Sequence, residues 1–199
     1  MTRTQKAPHP ARSGRRPGPN STREDILRAA RKCFAELGYD RATFRKIAAR
    51  ADVDPALVVQ FFGSKTELFA AASASPVTLV ELSAESEQGD PGEAGLRLAR
   101  LFMAWLEDTD AREAMLARIR SAATEPAAAE MVRQMVMGQL VPFARRIGGA
   151  NPEARASMLA AQFVGMVWAR YVVPLEPLAS MSGEEVAHWL GPALQVYLQ

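Results

Sequence analysis

Between Thr43 and Phe62 the chain carries two helix starts too close together for anything but two short helices joined by a tight turn. Thr43 stands where a hydroxyl can accept from a free amide of the first helix. Asp54-Pro55 sets a capping carboxylate before a proline at the first helical position, where the missing N–H is no loss. The apolar side of the first helix is Phe44, Ile47, Ala48 and Ala51, and that of the second is Leu57, Val58, Phe61 and Phe62. Ala48 is small enough to let the two helices approach closely. Asp52 falls at the turn, where a left-handed backbone is expected; glycine adopts it most easily, and aspartate better than most residues. So compact a pair is the arrangement that sets one helix into a DNA major groove, which makes residues 44–63 a predicted helix-turn-helix motif.

Apolar spacing alone would equally describe a hairpin buried in a helical core, and charge separates the two. Residues 1 to 65 hold 14 Lys and Arg against 6 Asp and Glu, a net of +8, whereas residues 66 to 199 hold 10 against 16, a net of −6. Positive charge gathered on the part that contains the hairpin is the footprint of a surface that meets phosphates.

Residues 1 to 20 carry Arg3, Lys6, Arg12, Arg15 and Arg16, four prolines and no acidic residue. Such a stretch cannot bury enough apolar surface to order itself, so a disordered basic tail is expected, either an arm lying along DNA or a solubilising extension. It lacks the apolar region of a secretory signal, and no run in the chain reaches the apolar length of a membrane span; the expectation is a cytoplasmic protein without a membrane partner. The single cysteine, Cys33, excludes an internal disulfide and reads as a buried thiol rather than a redox sensor.

Order is expected from Ser21, because Ser21-Thr22-Arg23-Glu24 has the form of a capping box. Ile26, Ala30, Cys33, Phe34 and Leu37 then recur at helical spacing until Gly38. Its outer face carries Arg23, Arg28, Arg31 and Lys32. Residues 21–67 thus form a three-helix DNA-binding domain. After Lys65 the chain turns alanine-rich and acidic, with no strand periodicity and no internal repeat. Further helices are predicted at about 65–75, 93–107, 111–123, 126–147, 152–172 and 183–198, with Asp110, Thr124, Asn151 and Ser182 placed to cap four of them. The fold class is all-α: a helix-turn-helix domain followed, over residues 68–199, by an antiparallel helical bundle, about nine helices in all.

This order of basic tail, capped helix, helical pair ending in Phe61-Phe62-Gly63-Ser64-Lys65 and acidic helical remainder resembles the tetracycline-repressor (TetR) family of bacterial transcription regulators. Over residues 21 to 70 the resemblance rests on Ile26-Leu27, Ala29-Ala30, Phe34, Gly38-Tyr39, Thr43, Ile47-Ala48, Val53, Leu57-Val58, Phe61-Phe62, Ser64-Lys65 and Leu68. Farther on, Arg118-Ile119-Arg120-Ser121-Ala122-Ala123-Thr124 and residues 169–178 look like an actinobacterial-type regulatory domain of that family. The resemblance implies a homodimer that places its third helices in successive major grooves of a palindromic operator in double-stranded DNA. It also implies release by a small molecule bound in the larger domain.

Carried onto this sequence, Thr43 and Lys65 would hold phosphates, the first through its hydroxyl and helix-start amides, the second as a point charge. Arg45 is the candidate for a guanine edge, which matches the guanidinium fork. On the third helix Pro55, Ala56, Val59 and Gln60 should face outward; Gln60 suits phosphate or an adenine edge, and the other three offer shape and contact with thymine methyls. The family usually has an aromatic or histidine where this chain has Val59.

Past residue 67 there is no catalytic constellation. His188 is the only histidine there, no metal-ligand spacing or glycine-rich phosphate loop occurs, and neither cofactor nor metal is expected. Met103, Leu106, Met115, Ile119, Met131, Met135, Phe163 and Met166 recur at helical spacings; singly each suits a core, together they suit an apolar effector cavity, with Arg118, Arg120 and Gln162 as polar anchors. The last two helices are apolar on more than one face. Gly165 and Trp168 on one, Leu190, Leu194 and Tyr197 on the other, are the candidate dimer interface, with Pro192 expected to kink the final helix. A ligand-responsive repressor is the leading expectation; a DNA-binding activator without ligand control, or a helical carrier or enzyme using residues 21 to 65 as scaffold, are the alternatives.

Overall fold

The computed structural model describes residues 19–74, 89–147 and 149–199, and among them every regular element is helical. Nine α-helices follow in order: α1 (Pro19–Arg41), α2 (Phe44–Ala51), α3 (Pro55–Phe62), α4 (Lys65–Ser73), α5 (Ala94–Glu107), α6 (Thr109–Ala122), α7 (Pro126–Ile147), α8 (Pro152–Val167) and α9 (Gly183–Gln195). A 3-10 turn, Pro91–Glu93, leads into α5, and a π-helical turn, Trp168–Val172, ends α8. Most of the basic tail, residues 1–18, lies outside the described residues. Helix α1 begins at Pro19, ahead of the expected start at Ser21, and its helical dihedrals break at Gly38, where φ is +75°.

The chemistry of the helix ends accounts for the boundaries. Thr43 Oγ1 accepts from the Lys46 amide at 3.3 Å and opens α2; Asp54 accepts from the Ala56 amide at 2.7 Å and opens α3 ahead of Pro55. Ser64 and Glu67 form a complete capping box on α4, as do Ser182 and Glu185 on α9. Two expected caps are replaced, and a third keeps its place without a side-chain bond. Asp108, not Asp110, caps α6 by accepting from the Ala111 amide at 2.8 Å, because Asp110 is drawn to Arg31 at 2.8 Å. Glu125, not Thr124, opens α7: its carbonyl accepts from the Ala129 amide at 3.0 Å, while the Thr124 amide closes the end of α6 onto Ser121 O. Asn151 precedes α8 with φ +54° and no side-chain capping bond.

Two cores share α6. The first gathers Ile26, Phe34, Ile47, Val58, Leu68 and Phe69 from α1 to α4, with the Phe69 ring edge-on to Phe34 at 5.0 Å and to Tyr39 at 5.4 Å. Leu68, Phe69 and Ala72 all enter this core, so α4 packs with α1 to α3 across the boundary expected at residue 67. Ala117 of α6 and Ala128 of α7 close the same core from below. The second is built by α5 to α9 around Phe102, Leu106, Phe143, Leu159, Phe163 and Leu194. In it α5 and α9 run antiparallel and nearly touch: a Cβ on Gly95 would lie 2.6 Å from Gln195 N, and one on Gly191 would lie 2.8 Å from Leu96 Cα. Arg100 pairs with Glu184 across the same helices, Nε to Oε1 at 2.9 Å.

Asp52 ends α2 in the left-handed region, φ +55° and ψ +46°, with its amide bonded to Ala48 O. The turn that sets the angle between α2 and α3 therefore holds a side chain where glycine is least strained. Asp52→Gly is expected to raise stability by up to about 1 kcal/mol, read as a higher melting temperature; a lower one would mean that the aspartate side chain contributes more than its backbone costs.

Candidate functional site

The α2–α3 pair presents one solvent-facing surface. Thr43 and Arg45 on α2, and Pro55, Ala56, Val59 and Gln60 on α3, are all exposed, while Ile47, Ala48, Val58 and Phe62 turn inward. Val59, at 47 % exposure, is a large apolar side chain held in water at the middle of this face. Arg45 has no ion-pair or hydrogen-bond partner among the described residues, so its guanidinium fork is available to a ligand.

Other basic residues near this face are already engaged. Arg50 pairs with Glu36 at 2.8 Å, and Lys46 donates to Arg41 O at 3.0 Å. Arg23 lies over the Phe62 ring, 5.1 Å from its centroid. Lys65 departs most from expectation. Its ammonium donates to Asp40 O at 3.1 Å and sits 4.5 Å from the Tyr39 ring centroid, and burial pushes its pKa down. At the start of α4 the capping box takes two amides, Ser64 N donating to Glu67 Oε2 at 2.8 Å and Glu67 N to Ser64 Oγ at 3.1 Å; that bonding also holds the Glu67 carboxyl below its ordinary pKa. A carboxylate at that helix start opposes a second anion, so in the free protein Lys65 is a packing residue first. Cys33 is buried, and desolvation raises its pKa, which keeps it a thiol.

A cavity of about 390 Å³ opens among α4 to α8. Five of the residues expected to line it do so: Met115, Ile119, Met131, Met135 and Phe163. Met103, Leu106 and Met166 do not; they are buried in the core among α5, α8 and α9. Spacing on one helix marks a buried stripe without saying which neighbour covers it, and this cavity takes its wall from parts of several stripes. Sequence reasoning missed Phe102, Trp105, Val132, Val136 and Gln139, and above all Phe69, Ala70, Ser73 and Ala74, the last turn of α4. Of the expected anchors Arg118 lines the cavity. Arg120 instead holds α1 through the carbonyl of Ala35, and Gln162 faces a groove on the other side of α8.

That second groove, between α8 and α9, is bordered by Ala161, Gly165, Ala169, Trp189 and Ala193. Trp168 is 47 % exposed, Trp189 73 % and Val196 67 %, and an added Cβ on Gly165 would meet nothing within 4 Å. Leu194 is a correction: at 0 % exposure it points into the chain's own core. Leu190, at 8 %, belongs to that core and also lines the groove, and Tyr197 packs half-buried against the core. The exposed apolar surface at this groove is thus Gly165 with Trp189, and Trp168 stands exposed one turn beyond Gly165. Pro192 stands exposed within α9, which runs on through it to Gln195.

Two family models match the chain: "Bacterial regulatory proteins, tetR family" over residues 26–72, and "Tetracyclin repressor-like, C-terminal domain" over residues 92–198. Among solved structures, a TetR-family regulator from Streptomyces coelicolor is 36 % identical, aligned over 94 % of this chain and 99 % of its own, with a TM-score of 0.64. A transcriptional regulator from Rhodococcus sp. RHA1 is 27 % identical over 88 % of this chain and 93 % of its own, TM-score 0.60. A structure described as a SmeT–triclosan complex is 27 % identical over 89 % and 90 %, TM-score 0.63. The HTH-type transcriptional repressor AcnR of Corynebacterium glutamicum is 40 % identical over 53 residues, 27 % of this chain. The chain matches 28 % of that curated relative's length.

Proposed function

The chain belongs to the TetR family of bacterial transcriptional regulators, and on that premise we propose that it is a ligand-responsive repressor: a cytoplasmic homodimer that leaves a palindromic operator when an apolar small molecule fills the cavity. The observation that carries this is the position of α4. Its Leu68 and Phe69 are part of the helix-turn-helix core, while Phe69, Ala70, Ser73 and Ala74 form one wall of the cavity. A molecule seated there presses on the end of a helix whose other side is fused to the DNA-binding domain. Since close-packed cores shift as units, displacement of α4 moves α3 with it and changes the separation of the two recognition helices in a dimer. The named repressor AcnR and the triclosan held by SmeT are properties of those proteins; here they support a repressor with an apolar effector. An activator without ligand control would need no such cavity, and family membership sets the chain among regulators rather than enzymes.

Met135 lines the cavity from α7 and is half-exposed to it, so Met135→Trp fills the space at small cost to the fold. Operator affinity measured by fluorescence anisotropy should fall about 5–150-fold on adding an effector from a panel of apolar compounds that includes triclosan. Met135→Trp should bind operator normally and lose the response. A variant that responds like the wild type would place the effector elsewhere.

A further inference from the structure

Among the described residues the wall of the cavity carries a single charge. Arg118 on α6 lines it and is only 7 % exposed, and no other described lining residue is acidic or basic. Its Nη2 donates to Ser73 O in the last turn of α4, while its Nε is buried with no hydrogen-bond partner among the described residues. Burial pushes its pKa down to about 10 with no carboxylate among the described residues acting the other way, so at neutral pH the group remains a cation. A buried guanidinium with an unmade N–H and no counter-charge is costly, and five donors in a planar fork are the complement of a carboxylate or similar oxyanion.

We propose that the effector is an apolar molecule bearing one negatively charged group, and that Arg118 is the residue which receives that group. The proposal rests on the cavity being the effector site and adds the chemistry of what enters it. The anion completes the Arg118 donors and competes with the Ser73 carbonyl for them, so the charged end of the ligand acts on the last turn of α4 while the apolar end occupies the space among Trp105, Met135 and Phe163. Capping α4 explains one bond, since a cation suits the end of a helix. It leaves Nε without a partner among the described residues, in a side chain that lines an apolar cavity.

The test is calorimetric titration of the full-length protein at neutral pH with decanoate and with decan-1-ol, the same chain with and without a charge. Decanoate should bind at least about tenfold more tightly, the scale of a charge-assisted hydrogen bond. Arg118→Gln should remove the preference by weakening decanoate to the affinity of decan-1-ol, a charge-selective loss that a merely structural role would not produce. Equal affinities in the wild type overturn the proposal and leave the effector cavity standing; binding of neither probe overturns both. A preference that persists in folded Arg118→Gln overturns the assignment to Arg118. Should that variant fail to fold, Met135→Trp decides: the decanoate preference must vanish with the cavity filled, and its survival places the anion elsewhere and overturns the proposal.

Discussion

Gly165→Glu is expected to yield a folded monomer that binds operator about 10²–10⁴-fold more weakly than the wild type. Gly165 is exposed on α8 and a Cβ there meets nothing within 4 Å, so the fold of a single chain has no objection to the substitution. A helical glycine replaced by glutamate even gains helix propensity. The damage falls on the partner surface. Beside Gly165 in the groove lies Trp189, 73 % exposed, and one turn beyond it, where α8 ends, stands Trp168, 47 % exposed, a large apolar area to leave uncovered. In a two-fold interface the same residue occurs on both sides, so one substitution buries two like charges. Loss of the dimer frees the second half-site and removes the gain of linked binding, which sets the expected size of the effect. Sedimentation velocity reads the oligomeric state; a Gly165→Glu protein that remains dimeric would remove α8 from the interface. Leu194→Glu is no substitute, since Leu194 is fully buried in the chain's own core and its replacement would unfold the protein.

Arg45→Ala should cost about 1–3 kcal/mol on operator DNA and much less on random DNA, the signature of a side chain that reads a base. Arg45 is exposed on α2, and its neighbours Lys46 and Arg50 are both tied to partners within the domain. Lys46 and Arg50 are thus engaged in internal bonds, which leaves Arg45 as the cation of α2 free to meet DNA. Removing one lysine or arginine that neutralises a phosphate should reduce the log–log salt slope by about 0.9. Equal weakening on both DNAs with a reduced slope would make Arg45 a phosphate ligand instead.

The helix-turn-helix was legible because its signals are local. Thr43, Asp54-Pro55 and Asp52 act within three or four residues of themselves, and their caps and turn appear as their chemistry dictates. The second half was less legible where long-range partners decide. Asp110 is a good capping residue in isolation, but Arg31 on α1 takes it and Asp108 caps in its place. Leu190 and Leu194 share one stripe of α9, and spacing cannot tell whether α5 or a second subunit covers that stripe; the close approach at Gly95 and Gly191 brings α5 there. The same limit explains the cavity. Met103 and Met166 have the spacing of Met115 and Met135 but face the filled core, and the last turn of α4 enters the wall only because α1 to α4 pack against α6. Lys65 differs from expectation for a related reason, since its partners Tyr39 and Asp40 come from the end of α1.

Two copies of the α2–α3 face should together read one symmetric stretch of DNA. Selection of bound sequences from a random double-stranded pool, followed by footprinting of the enriched site, shows whether they do. The expected product is an inverted repeat whose half-site centres lie at least one helical turn, ~34–36 Å, apart, with protection falling on successive major grooves of one side of the duplex. Enrichment of no inverted repeat, or a footprint without two-fold symmetry, would contradict that reading.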